Sequence, residues 1–77
     1  MKLIYNETCS LVLTGDVVHI KNRPWVILEV PDDNTDYITG QTMDETKWIS
    51  LLTPTWINAS WVSDDKWIEM CVRDACN

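Results

Sequence analysis

One run constrains this chain more than any other. Gly15-Asp16-Val17-Val18-His19-Ile20 turns through Asn22-Arg23-Pro24 into Trp25-Val26-Ile27-Leu28-Glu29-Val30. Val17 to Lys21 is β-branched apart from His19 and the closing Lys21, and five of the six residues from Trp25 to Val30 are apolar. Such runs, bounded by Gly, Asn and Pro, read as neighbouring strands joined by a tight turn. The second is apolar on both alternations, so both of its faces are expected to be covered.

The rest of the chain repeats this grammar in shorter pieces. Lys2 to Tyr5, Ser10 to Thr14, Tyr37 to Thr39 and Lys47 to Leu52 read as strands, the third broken at Gly40. Ile57, Ala59 and Trp61 alternate with Asn58, Ser60 and Val62, which suits a strand; a one-turn helix starting at Thr53 or Thr55 is the alternative, because Pro54 fits a first helical position. Ser63-Asp64-Asp65 reads as a turn, Lys66 to Val72 as a last strand, and Arg73 to Asn77 as a fraying end. Helical periodicity is weak throughout. The expected class is mainly β: a small SH3-like barrel or rolled antiparallel sheet of five to six short strands, with at most one short helix.

A chain of 77 residues makes one domain, spanning 1–77, with a thin core. The charge is acidic, with a net of −6. That speaks against general affinity for nucleic acid, whose phosphates call for basic groups, and disfavours anionic membranes. It favours solubility and a protein partner with a basic surface. No run approaches a membrane span, and no secretory signal is visible. The three cysteines, Cys9, Cys71 and Cys76, are an odd count and a poor disulfide framework, pointing to a reducing, cytoplasmic setting. They also make a poor zinc set, since only His19 could join them. No metal or cofactor is expected. Asn6-Glu7-Thr8 and Asn58-Ala59-Ser60 fit a glycosylation acceptor by chance.

The order of segments resembles the PemK/MazF-type toxins. Gly15-Asp16 with its apolar strand, then Arg23-Pro24 with a second, is similar to that family's opening. Ile38-Thr39-Gly40 resembles its Ile-Thr-Ser segment, and Leu52-Thr53-Pro54-Thr55 followed by Asp65-Lys66 its Leu-x-Pro-Ser strand and later Asp-Lys pair. The likeness covers roughly residues 15 to 68. It implies an SH3-like barrel and metal-independent RNA cleavage, with Arg23 as the cationic stabiliser and Thr39 as the hydroxyl near the scissile phosphate. His19 falls on no position of that pattern and takes no role from it. The chain departs from the family in two ways. The turn before Arg23 is too short to wall an RNA groove, and no Lys or Arg occurs from Pro24 to Thr46.

That same segment carries Glu29, Asp32, Asp33, Asp36, Asp44 and Glu45. It reads either as ordinary solvated loops or as an imitation of nucleic-acid phosphates that occupies a basic cleft. Trp56 and Trp61 read as core or as an interface pair; strand alternation puts them on opposite faces, so at least one is expected outside. The leading expectation is a non-enzymatic acidic interaction protein that binds and modulates or inhibits a partner, such as a phage or mobile-element inhibitor of a nucleic-acid-handling host or defence protein. Asp32, Asp33, Asp36, Asp44, Glu45, Trp56 and Trp61 would form its contact surface. The competing expectations are a toxin-like ribonuclease built on Arg23 and Thr39, and a structural subunit of a larger assembly. Each is compatible with a homodimer.

Overall fold

The computed structural model describes residues 1–31 and 37–75, with side chains described as far as residue 70. Among these residues six strands appear: β1 (Lys2–Tyr5), β2 (Val17–Ile20), β3 (Arg23–Glu29), β4 (Ile38–Thr42), β5 (Ile49–Leu52) and β6 (Ala59–Val62). A single 3-10 turn, Pro54–Ile57, joins β5 to β6, and one α-helix, α1 (Asp64–Ala75), follows. β2, β3, β4 and β5 form an antiparallel meander in sequence order, while β1 pairs antiparallel with β6 in a separate ribbon. The two sheets do not close into a barrel.

The β2–β3 hairpin turns in two residues. Lys21 and Asn22 both have positive φ, at 52° and 66°, which is the left-handed pair a type I′ turn needs to match strand twist. β3 then meets β4 through a register shift between Ile27 and Glu29, so Leu28 bulges. β4 runs straight through Gly40 instead of stopping there. A side chain is what the position refuses. A Cβ on Gly40 would stand 2.5 Å from Leu52 Cδ1, with the Trp25 ring close behind.

The core lies between the sheets. Ile27, Ile38 and Leu52 from the meander meet Leu3 and Ala59 from the ribbon, with Val12 and Ile57 supplied by the connections. Val18, Ile20, Trp25 and Trp61 pack around this cluster half-buried. Asn6 pins the ribbon to the 3-10 turn: its N–H donates to the Asn58 carbonyl at 2.8 Å and its Nδ2 to Asn58 Oδ1 at 3.0 Å. Ser60 Oγ in turn donates to Asn6 Oδ1 at 2.8 Å. The asparagines of both acceptor triplets are therefore engaged with each other. Asn58 sits left-handed and ends the turn, which begins on Pro54.

Two strand expectations are corrected. Ser10 to Thr14 is a loop that touches β1 only through a bridge between Leu11 and Ile4 and a bond from Val12 N–H to the Leu3 carbonyl at 2.9 Å. Asp16 holds it in this shape, accepting from Leu13 N–H at 3.0 Å. Lys66 to Val72 is helical, as part of α1. Ser63 is a helix cap rather than a turn residue, for its Oγ accepts from Lys66 N–H at 3.1 Å. Asp64 and Asp65 occupy the first turn, where carboxylates complement the helix dipole. The covered-face expectation for β3 also fails in part, because Leu28 is exposed.

Candidate interaction surface

Arg23 and Thr39 do not come together. Along the β3–β4 ladder Thr39 faces Glu29, whereas Arg23 pairs with Ile20 at the opposite end. About five strand residues at roughly 3.3 Å each separate the two positions. They also lie on opposite faces, since Ile20 points to the core and Leu51, the β5 neighbour of Thr39, points away from it.

Arg23 is engaged where it stands. Its Nε lies 3.1 Å from Asp44 Oδ2, and its guanidinium lies over the Trp48 ring, 5.0 Å from the centroid. Asp44 accepts from both the hydroxyl and the N–H of Thr46. The Thr46 hydroxyl, its N–H and the Arg23 charge hold the Asp44 carboxyl below the ordinary carboxylate range. Buried Thr42 completes the loop, its hydroxyl accepting from Trp48 N–H at 2.8 Å. The cation missing from the acidic segment is thus supplied from just before it. Asp44 serves this loop, while Glu45 beside it is exposed. Asp32, Asp33 and Asp36 lie outside the described residues.

The two tryptophans singled out from the sequence have different fates. Trp61 is half-buried on β6, opposite Leu3, and packs on the core. It also walls a cavity of about 470 Å³ with Met1, Leu11, Val12 and Pro31. Trp56 stands out from the 3-10 turn at 55% exposure, beside His19, Ile20 and Lys21. The expected outward tryptophan is therefore Trp56, placed by a 3-10 turn and not by strand alternation. Trp48, which sequence reasoning did not single out, is as exposed at 58%.

The surface that sequence reasoning missed is the outer face of the meander. Alternation turns Val18, Ile20, Trp25, Ile27, Ile38 and Leu52 inward, and leaves Val17, Val26, Leu28, Thr39, Ile49 and Leu51 outward. Ile49 is 64% exposed, Leu51 58% and Val17 51%. An antiparallel sheet with one solvated face normally places polar side chains there. Here β2, β3 and β5 carry aliphatic groups outward at Val17, Val26, Leu28, Ile49 and Leu51, while Thr39 and Gln41 of β4, His19 of edge strand β2 and Glu29 at the bulge are the polar positions of that face. The alternation of Ile49 and Leu51 with Ser50 and Leu52 was readable, but it does not say which set faces the core.

Among the described residues no group of His, Cys, Asp or Glu could hold a metal ion, and no helix is long and apolar enough to cross a membrane. No protein-family profile, curated protein or solved structure matches the chain.

Proposed function

We propose that this chain is a non-enzymatic interaction protein that docks on a macromolecular partner through the outer face of its β2–β5 sheet. The observation that carries the reading is the exposure of Val17, Leu28, Ile49 and Leu51 on one face. Exposed aliphatic groups gathered on one face, here flanking the polar Thr39 and Gln41 of β4, mark a contact site, because leaving them in water forfeits the gain from burying them. The net charge of −6 favours a partner that offers basic groups around an apolar centre. Modulation or inhibition of a nucleic-acid-handling protein is the sharper form of this reading, supported by the excess of carboxylates.

The test is capture from a cell lysate by the immobilised chain, compared with a Val17→Lys/Leu28→Lys variant. Both positions are exposed, so the double variant is expected to fold. The parent should retain a discrete protein, and the variant should lose at least ten-fold of it. Recovery of the same background by both would refute the proposal.

A further inference from the structure

Among the described residues, strand β5 is an open edge of the meander, because the sheet order ends on it. Folded proteins normally guard such an edge with lysine, proline or a bulge, since its unpaired backbone groups recruit another strand. This edge lacks those guards. No residue from Trp48 to Ser63 is charged, in a chain with 18 charged side chains from its twelve acidic and six basic residues. The first proline after β5 begins the 3-10 turn, beyond the strand. The pairing with β4 is in continuous register from Ile49 to Leu52.

The direction of its free groups follows from one bond. Thr42 N–H donates to the Trp48 carbonyl at 2.9 Å, so Trp48 pairs toward β4. Antiparallel ladders alternate, so Ser50 and Leu52 also pair toward β4, while the N–H and C=O of Ile49 and Leu51 turn to the open edge. The Ser50 hydroxyl donates to the Leu51 carbonyl at 3.3 Å, and a carbonyl has a second lone pair to offer.

We propose that this edge is the interface with a second copy of the chain, paired antiparallel about a twofold axis through Ser50. Ile49 then faces Leu51 of the other copy, and each exchanges its outward N–H and C=O with the other. Ser50 faces its own counterpart in the closely spaced, non-hydrogen-bonded position, where Cα atoms stand about 4.5 Å apart. A small exposed serine suits that approach. Ile49 and Leu51 also gain apolar cross-strand partners on the outer face, so the two meanders become one eight-stranded sheet with one continuous outer surface.

Charge selects this occupant. Two copies of a chain with a net charge of −6 repel each other wherever their carboxylates meet, and β5 brings none to the contact. An uncharged edge offers a basic partner no ion pair, whereas a second copy meets there an uncharged strand that it matches group for group, and a twofold contact closes after two copies. Pairing of Ile49 to Leu51, three residues a strand, sits at the small end of specific interfaces, so the dimer forms with rising concentration. The proposal draws on the same exposed aliphatic residues as the proposed function, but its axis residue lies off the outer face.

Light scattering behind size exclusion, over a concentration series, tests it. The parent, 8.9 kDa as a monomer, should move toward twice that mass. Ser50→Glu sets two carboxylates opposite each other and should weaken dimerisation at least ten-fold, and Ser50→Lys should do the same. An equal mixture of the two variants should regain the dimer, which also shows that both fold. A monomeric parent, a charged variant that dimerises like the parent, or a mixture that stays monomeric would overturn the proposal. Ser50→Glu leaves Val17 and Leu28 untouched and should still capture the lysate partner. Loss of dimerisation and loss of docking are therefore read on separate variants.

Discussion

Asp16 shows how much one side chain can organise. Its carboxylate accepts from Tyr5 Oη at 2.8 Å and from Leu13 N–H at 3.0 Å, tying β1, the loop before β2 and the start of β2 together. The sequence marks Gly15-Asp16 as a turn, and the turn is there, with Gly15 at a φ of 93°. It does not reveal the partner, because Tyr5 lies eleven residues away and reaches Asp16 only once the loop has folded back. Burial, then the Asp16 hydrogen bond and charge, push the Tyr5 phenol well above its ordinary value. An unfolded tyrosine releases its proton near pH 10. Above that pH the unfolded chain binds fewer protons than the folded one at this site, so folding stability falls as pH rises. Tyr5→Phe should cost about 1 kcal/mol at neutral pH and make the alkaline loss of stability shallower. Urea titrations at pH 7 and above pH 10 check both, and an unchanged alkaline slope would count against the linkage. Arg23 carries the same lesson. Read from the sequence it is a free cation before a proline, and in the fold its charge is spent on Asp44 and Trp48.

At the scale of elements, the β2–β3 hairpin was legible and α1 was not. The hairpin declares itself through two strong β runs and a turn too short for anything but a primed geometry. Lys21-Asn22 is a poor version of that turn, since a lysine at positive φ is strained where asparagine is tolerated. Lys21→Asn should therefore raise stability by about 1 kcal/mol, or about 4–8 °C in Tm for a domain of this size. Thermal unfolding followed by circular dichroism reads the shift, and a lower Tm would show that the Lys21 side chain supports the fold. α1 was misread because Trp67, Glu69 and Cys71 alternate with Ile68, Met70 and Val72 in a way that mimics a strand. The stronger signal stood before it: Ser63 followed by two aspartates is a cap and an acidic first turn, and caps outrank a short alternation. Gly40 misled in the opposite sense. A glycine within a strand pattern reads as a break, yet here it is the space that Leu52 and Trp25 fill.

For the whole molecule, the class was readable and the arrangement was not. Short strands with tight turns specify a mainly β chain, but they do not say that β1 leaves its sequence neighbours and pairs with β6. Nor could a list of apolar residues separate the inner face of the meander from the outer one, because both are aliphatic. That ambiguity leaves the exposed aliphatic face unmarked in the sequence, where the acidic segment stands out instead.

The β1–β6 ribbon imposes an order in time. β2 to β5 meet through near neighbours, whereas Lys2 faces Val62, across almost the full chain. Closing so long a loop costs entropy that is repaid only after the intervening segment is compact. The meander should therefore be largely formed at the folding transition state, with the ribbon docking afterwards. Ile27→Val in the meander should slow refolding, while Leu3→Ala in the ribbon should mainly accelerate unfolding. Stopped-flow chevron plots would separate the two, and a slower refolding arm for Leu3→Ala would reverse the order. Until residue 62 has been made, β1 of a nascent chain has only the loop around Leu11 and Val12 to pair with, and its buried pair, Leu3 and Ile4, waits for the cover that β6 brings.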